Sequence, residues 1–195
     1  MAKSSKDVIE IIKTRRCVRQ YLDKDISDDD ISFLIDCGGY APSGLNMQPW
    51  AFLVIKNKNK IMQISEICKK SMIPLLEDMK STTKEAAEYL TFLKMNGSDM
   101  FYGAPVLVII FGNSNAPTAV YDCAMAAQTM MLAAQSIGLG CCWIGGAQRG
   151  LMDEKLLREL GAPEGYITVA PLIFGYPEGK TKTPDRIEPK VVWVK

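Results

Sequence analysis

The chain has 195 residues, with 23 basic side chains against 22 acidic ones and no histidine. The missing imidazole excludes a Ser-His or Cys-His nucleophile pair, a His-ligated zinc and a histidine pH switch, so a bound cofactor that carries the chemistry is the simplest route to an enzyme. A formal charge of +1 supplies no global field for nucleic acid or an acidic membrane, which leaves only local clusters as anion sites.

The length predicts one domain over residues 1–195, burying roughly 70% of the surface its unfolded chain exposes. The segment Met1-Ala-Lys-Ser-Ser-Lys6-Asp7 lacks the apolar core of a signal peptide, which points to the cytoplasm. Cys17, Cys37, Cys68, Cys123, Cys141 and Cys142 form no C-x-x-C pair, so neither an iron-sulfur cluster nor a zinc ribbon has its usual spacing, and reduced thiols without a metal are expected.

Val8, Ile11 and Ile12 recur at helical spacing and predict a short helix over 6–14, running into Arg15-Arg-Cys-Val-Arg19. Ser27 followed by Asp28-Asp-Asp30 reads as an N-cap with an acidic first turn, Ile31, Leu34 and Ile35 continue the apolar face, and Gly38-Gly39 is the expected stop. Trp50 to Ile55 is a continuous apolar run ended by Asn57-Lys-Asn59, as a buried strand requires. Similar runs at Val106 to Phe111, Cys141 to Ile144 and Tyr166 to Phe174 predict further strands, with a short terminal one at Val191 to Val194. Residues 60–100, rich in Lys, Glu, Met and Leu, read as two helices in a peripheral excursion, with a mobile turn near Asn96-Gly-Ser98. Pro117 to Ile137 is a long helix closed by Gly138-Leu-Gly140. Asp122, Gln128 and Gln135 interrupt its apolar run, so it is a buried helix rather than a membrane span, with alanines that let another helix, including one of a partner subunit, approach closely.

Three places have the residue types for a site. Lys13, Arg15, Arg16 and Arg19 concentrate charge, and on an extended chain Arg15, Cys17 and Arg19 share one side, so two guanidinium forks could converge on a phosphate monoester. Alternatively they form a solvated helix end paired with Asp23 or Asp25, and the cluster by itself favours this. The loop Ala41 to Trp50 offers donors and acceptors on Ser43, Asn46 and Gln48 between the stiffening Pro42 and Pro49. It suits a heteroaromatic edge or a polyol as well as it suits a turn satisfying its own backbone. Trp143-Ile-Gly-Gly146 at a strand end allows close backbone approach to a ligand, although glycines also end strands for conformational reasons.

Taken in order, Arg15-Arg-Cys-Val-Arg19, Pro42-Ser-Gly-Leu-Asn-Met-Gln-Pro-Trp50, Gly138-Leu-Gly-Cys-Cys-Trp-Ile-Gly-Gly146 and Lys182-Thr-Pro-Asp-Arg186 resemble the nitroreductase family of FMN-dependent oxidoreductases over nearly the whole chain. The resemblance implies an α+β fold, a central mixed or antiparallel sheet flanked by helices, and an intertwined homodimer with FMN in clefts at the subunit interface. It places Arg15, Arg16, Cys17, Arg19, Lys182 and Arg186 around the FMN phosphate and flavin edge, and Ile144, Gly145 and Gly146 along the isoalloxazine. Pro42, Ser43, Gly44, Asn46 and Gln48 would come from the partner subunit. Cys17 stands where the family has serine, and Asp185 where a second basic residue is common.

The resemblance further implies ping-pong transfer of reducing equivalents from NADH or NADPH through FMN to a nitroaromatic, quinone or related small acceptor. Residues 60–100 would shape the choice of acceptor. The competing class is an FMN-binding protein for flavin storage, sensing or reduced-flavin fragmentation. A thiol-redox reading through Cys141-Cys142 is weaker, since adjacent cysteines seldom pair without strain.

Overall fold

The computed structural model describes residues 7–195, so the predicted helix start at residue 6 lies outside the described residues. In chain order the helices are α1 (Val8–Thr14), α2 (Asp28–Gly39), α3 (Lys58–Met79), α4 (Lys84–Lys94), α5 (Ala119–Ser136) and α6 (Glu154–Glu159). The strands are β1 (Trp50–Ile55), β2 (Val106–Asn113), β3 (Gly140–Trp143) and β4 (Tyr166–Gly175). The strands form one four-stranded antiparallel sheet in the order β1-β2-β4-β3, as expected of the α+β class.

Both faces of this sheet are buried, which explains why its strands read as unbroken apolar runs. Along β2, Leu107, Ile109 and Phe111 enter one core with α3, α4 and α6, while Val106, Val108 and Ile110 enter a second core with α2 and α5. The two-residue alternation thus divides one apolar strand between two cores. A bulge opposite Ile110 and Phe111 leaves Val169 as the extra residue of β4.

The chain after α1 extends the sheet at its β3 edge. Arg15 ends the helix in extended geometry (φ −57°, ψ 139°), Cys17 bridges Cys141 in parallel, and the Val18 N–H donates to the Cys141 carbonyl at 3.0 Å. Two glycines permit this: a Cβ on Gly140 would lie 2.7 Å from Val18 Cγ2, and one on Gly175 would lie 2.5 Å from the Tyr21 ring.

The helix α2 ends at Gly39, at the expected glycine pair, and Gly38 has a second role: a Cβ on it would sit 2.8 Å from Met130 Cγ, so this glycine lets α2 close on α5. Three local expectations change. Residues 60–100 are not peripheral. Ile61, Ile64, Cys68, Leu90 and Leu93 build one of the two cores, because α3 and α4 are amphipathic, with most of their charge on the outer face and Lys69 buried. The turn near Asn96 is anchored, with Ser98 8% exposed, its hydroxyl donating to the Leu93 carbonyl and its own carbonyl accepting from Lys69 Nζ. Val191 to Val194 forms no strand: the segment is exposed and pairs with no ladder among the described residues. Among the described residues no helix is long and apolar enough to cross a membrane.

Gly150 tests the packing of α3. A Cβ there would lie 2.5 Å from the Cys68 Cα, a backbone atom that cannot turn away. Gly150→Ala should therefore lower stability by about 1–3 kcal/mol, read as a lower urea midpoint; an unchanged midpoint would contradict this close approach.

Candidate functional site

The extension of the sheet edge puts the basic residues on a common wall. Arg15, Arg16, Cys17 and Arg19 line a cavity of about 370 Å³ together with Thr181, Lys182, Pro184 and Arg186 from the tail. Arg16 ties the two segments, donating to the Lys13 and Arg15 carbonyls at 2.8 Å and to Thr183 Oγ1 at 3.2 Å. The solvated-end alternative fails on its partners: Asp23 is taken by Lys58, and among the described residues no carboxylate lies within 4.0 Å of Arg15, Arg16, Arg19, Lys182 or Arg186. A cavity walled by cations without counterions is arranged for an anion, and guanidinium forks match phosphate oxygens.

Cys17 opens on this cavity. The neighbouring Cys142 side chain, then the Arg15 guanidinium at 3.7 Å and the charges of Arg15 and Arg19, outweigh burial and hold the Cys17 thiol down at about 5. The nearby Cys17, with burial, pushes the Cys142 thiol upward.

Arg19 also lines a second cavity, of about 320 Å³, with Tyr89, Tyr102, Ile144, Gly145 and Gly146. Its guanidinium carbon lies 5.8 Å from the centroid of the Tyr102 ring, a cation–π approach. Tyr102 stacks on Phe92 at 5.3 Å, and Phe92 on Tyr89 at 6.2 Å, so α4 and the turn after it supply an aromatic wall. Tyr102 takes a left-handed backbone (φ 56°), held by Asp99, whose carboxylate accepts from the Phe101 and Gly103 N–H groups. Burial pushes both phenols upward, so they are neutral donors at ordinary pH. A Cβ on Gly145 would meet nothing within 4 Å, which leaves its backbone open to a ligand, while Gly146 lies under Tyr89.

The loop between α2 and β1 stands apart. Asn46 and Gln48 line a separate cavity of about 530 Å³ with Ile35, Tyr40 and Phe52. No residue of this cavity is shared with the other two, so one chain does not bring Pro42, Ser43, Gly44, Asn46 and Gln48 to the basic wall. Part of the loop satisfies itself, the Gln48 N–H donating to Ser43 Oγ at 3.0 Å and Gln48 Nε2 to Asn46 Oδ1 at 3.2 Å. Yet Leu45, Asn46 and Gln48 all have positive φ, and Leu45 is 97% exposed. A turn needing only closure would use glycine at such positions. The loop is pinned by Asp122, which is 1% exposed and accepts from the Gly44 N–H at 3.1 Å and from Thr118 Oγ1 at 2.8 Å.

The cavities fit FMN in the order of its parts: cations without counterions for a phosphate, an arginine common to both cavities, and an aromatic wall facing open glycine backbone for a flat ring. Sequence reasoning missed Tyr89, Tyr102, Thr181 and Asp122. Only Asp99-x-x-Tyr-Gly103 carried a local signal, a turn-forming acid before a tyrosine-glycine pair.

Comparison with known proteins agrees with this geometry. The family model described as the nitroreductase family matches residues 12–176. A Methanothermobacter thermautotrophicus protein named as a candidate NADH dehydrogenase/NAD(P)H nitroreductase is 29% identical over 190 residues, covering 95% of this chain and 85% of that protein. An iodotyrosine deiodinase of Thermotoga neapolitana is 27% identical over 135 residues, 69% of this chain and 72% of that one. A crystal structure of a Bacteroides fragilis nitroreductase with bound FMN superposes with a TM-score of 0.79 at 30% identity, covering 97% of this chain and 99% of that one.

Asp122→Ala should leave the Gly44 N–H and the Thr118 hydroxyl without their acceptor. We expect a loss of about 1–3 kcal/mol in denaturant unfolding and faster hydrogen exchange at the Gly44 amide. Unaltered exchange there would show that Asp122 does not anchor the loop.

Proposed function

The chain belongs to the nitroreductase family, and on that premise we propose that it is a cytoplasmic FMN-dependent oxidoreductase, one domain over residues 1–195, acting as a homodimer. The observation that carries this is the junction at Arg19, where a cationic cavity meets an aromatic-walled one. Arg15, Arg16, Lys182 and Arg186 would hold the phosphate, with Cys17 beside them. Arg19 would face the pyrimidine edge of the ring, and Ile144, Gly145 and Gly146 would lie along its plane. Bound FMN would supply the redox chemistry, taking two electrons from NADH or NADPH and giving them to an acceptor in alternating half-reactions. Arg15 and Arg19 would stabilise negative charge gathered at the ring, an electrostatic contribution fixed in advance by the sheet edge.

Tyr89, Phe92 and Tyr102 form a stacked wall, which suits a flat acceptor such as a nitroaromatic or a quinone. A single open ring face would serve donor and acceptor in turn, which is the structural condition for ping-pong kinetics. The FMN in the Bacteroides fragilis structure and the name of the Methanothermobacter protein support the cofactor and the donor.

The dimer is supported by apolar side chains that one chain leaves in water. Val120, Tyr121 (71% exposed) and Met125 form a stripe on α5, Val8, Ile9 and Ile12 another on α1, and Ile187 with Val191 to Val194 a third on the tail. A second subunit covering them would bring the loop carrying Pro42, Ser43, Gly44, Asn46 and Gln48 to the ring.

Arg15→Ala should weaken FMN binding by roughly 1.5–3 kcal/mol, the worth of a charge-assisted phosphate bond, read as a higher dissociation constant in flavin fluorescence titration. An unchanged constant would remove Arg15 from the site. In steady-state assays the wild-type protein should oxidise NADH or NADPH with a nitroaromatic or quinone, giving parallel double-reciprocal lines. Flavin-loaded protein with no such turnover would favour storage, sensing or flavin fragmentation instead.

A further inference from the structure

We propose that Tyr89 and Tyr102 set the choice of acceptor: with Arg19, their hydroxyl groups hold a carboxylate carried on the ring of a flat acceptor. An acceptor with an ammonium in the same place is turned away. This inference rests on the FMN-dependent reading above and deepens it at the aromatic end of the site.

Local structure fixes both rings before any ligand arrives. Tyr89 stacks on Phe92 with an interplanar angle of 13°, and Phe92 on Tyr102 with one of 12°, so the three rings are nearly parallel. At one end of this wall the Tyr89 oxygen reaches the glycines, 3.1 Å from where a Cβ on Gly146 would stand. At the other end Arg19 lies against the Tyr102 ring. The turn presenting Tyr102 is clamped by two buried residues of α3: Ser65 Oγ accepts from the Met100 N–H at 2.8 Å, and Lys69 Nζ donates to the Ser98 carbonyl at 2.9 Å. Side chains held in this way lose little freedom when a ligand binds.

Arg19, Tyr89 and Tyr102 supply the polar side-chain atoms of this cavity, and all three donate protons. Neither phenol donates to a protein group among the described residues, whereas Tyr21 gives its proton to the Val18 carbonyl at 2.7 Å. The acids nearby are engaged or stand outside. Asp99 accepts from the Phe101 and Gly103 N–H groups at 2.9 and 2.8 Å, Glu88 pairs with Lys84 at 3.5 Å, and Glu85 is exposed; none of them lines the cavity. On the glycine side the Ile144 and Gly145 carbonyls already accept from the Ala147 and Gln148 N–H groups at 3.0 and 3.2 Å.

A carboxylate, which only accepts, finds two phenol protons and a guanidinium here, and it meets an opposite charge. The guanidinium has several N–H groups, so Arg19 can serve the flavin edge and the ligand together. An ammonium only donates. The phenol oxygens could accept from it, but they carry no charge, and the one charged side chain lining the cavity, Arg19, repels it. With FMN along Ile144 to Gly146, the acceptor ring takes the space between the flavin and the tyrosine wall.

The test measures binding to the oxidised, FMN-loaded protein by isothermal titration calorimetry, without nicotinamide, so that no acceptor is reduced. 4-Nitrobenzoate, 4-nitrobenzyl alcohol and 4-nitrobenzylamine share one ring and are negative, neutral and positive near neutral pH. We expect the benzoate to bind about tenfold or more tightly than the amine, with the alcohol between them. Tyr89→Phe and Tyr102→Phe keep the stacked wall and remove one hydroxyl each. Each should raise the 4-nitrobenzoate dissociation constant about threefold to tenfold, the worth of one hydrogen bond, and narrow its ratio to that of the alcohol. A benzoate that fails to bind, an amine that binds as tightly, or Phe variants that hold the benzoate as the wild type does would each overturn the proposal. Flavin content measured on every sample separates the two readings. Protein that takes up no FMN refutes the cofactor reading and this inference with it, whereas FMN-loaded protein without the preference refutes this inference alone.

Discussion

The attachment of residues 17–21 to the outer edge of β3 is the constraint on which the site depends. The Val18 N–H to Cys141 carbonyl bond and the Leu22 N–H to Tyr176 carbonyl bond fix the segment at two points. Once it is fixed, side-chain alternation sends Val18 down onto Gly140 and leaves Arg15, Cys17 and Arg19 along the cavity. The tail then closes over them, because the Arg16 guanidinium reaches Thr183 and brings Lys182 and Arg186 to the same space. A charge cluster that looks like a helix end in one dimension becomes the wall of a cation-lined cavity in three.

Electrostatics gives this wall its meaning. Like charges a few ångströms apart near a protein surface repel by up to about 4 kcal/mol a pair, and here no carboxylate among the described residues offsets them. An anion of matching geometry relieves that repulsion and gains hydrogen bonds at once. Charge in the cavity and the neutral aromatic wall beyond Arg19 thus divide the site into two chemically distinct ends.

Much of the fold was legible because its signals are local. Ser27 caps α2 by accepting from the Asp30 N–H, as the run of aspartates suggested, and the apolar runs at Trp50, Val106, Cys141 and Tyr166 became the four strands. Legibility failed where a residue's role is set by a distant partner. Gly38 spaces α2 from α5 as well as lying at the end of α2, α3 and α4 are core elements despite their surface charge, and Val191 to Val194 has strand composition but joins no strand among the described residues. For the candidate site the basic residues, including those of the tail, were readable as a group. Tyr89, Tyr102 and Asp122 were not, because their roles arise from contacts with Arg19, Gly146 and Gly44 far along the chain.

The central claim is that two chains each complete the other's site around one FMN, with cations at one end and the aromatic wall at the other. Native mass spectrometry of the protein as purified tests it most directly, since it reads subunit number and bound ligand together. The account predicts a species of two chains carrying two FMN, one per cleft. A flavin-free monomer that takes up no added FMN would contradict it.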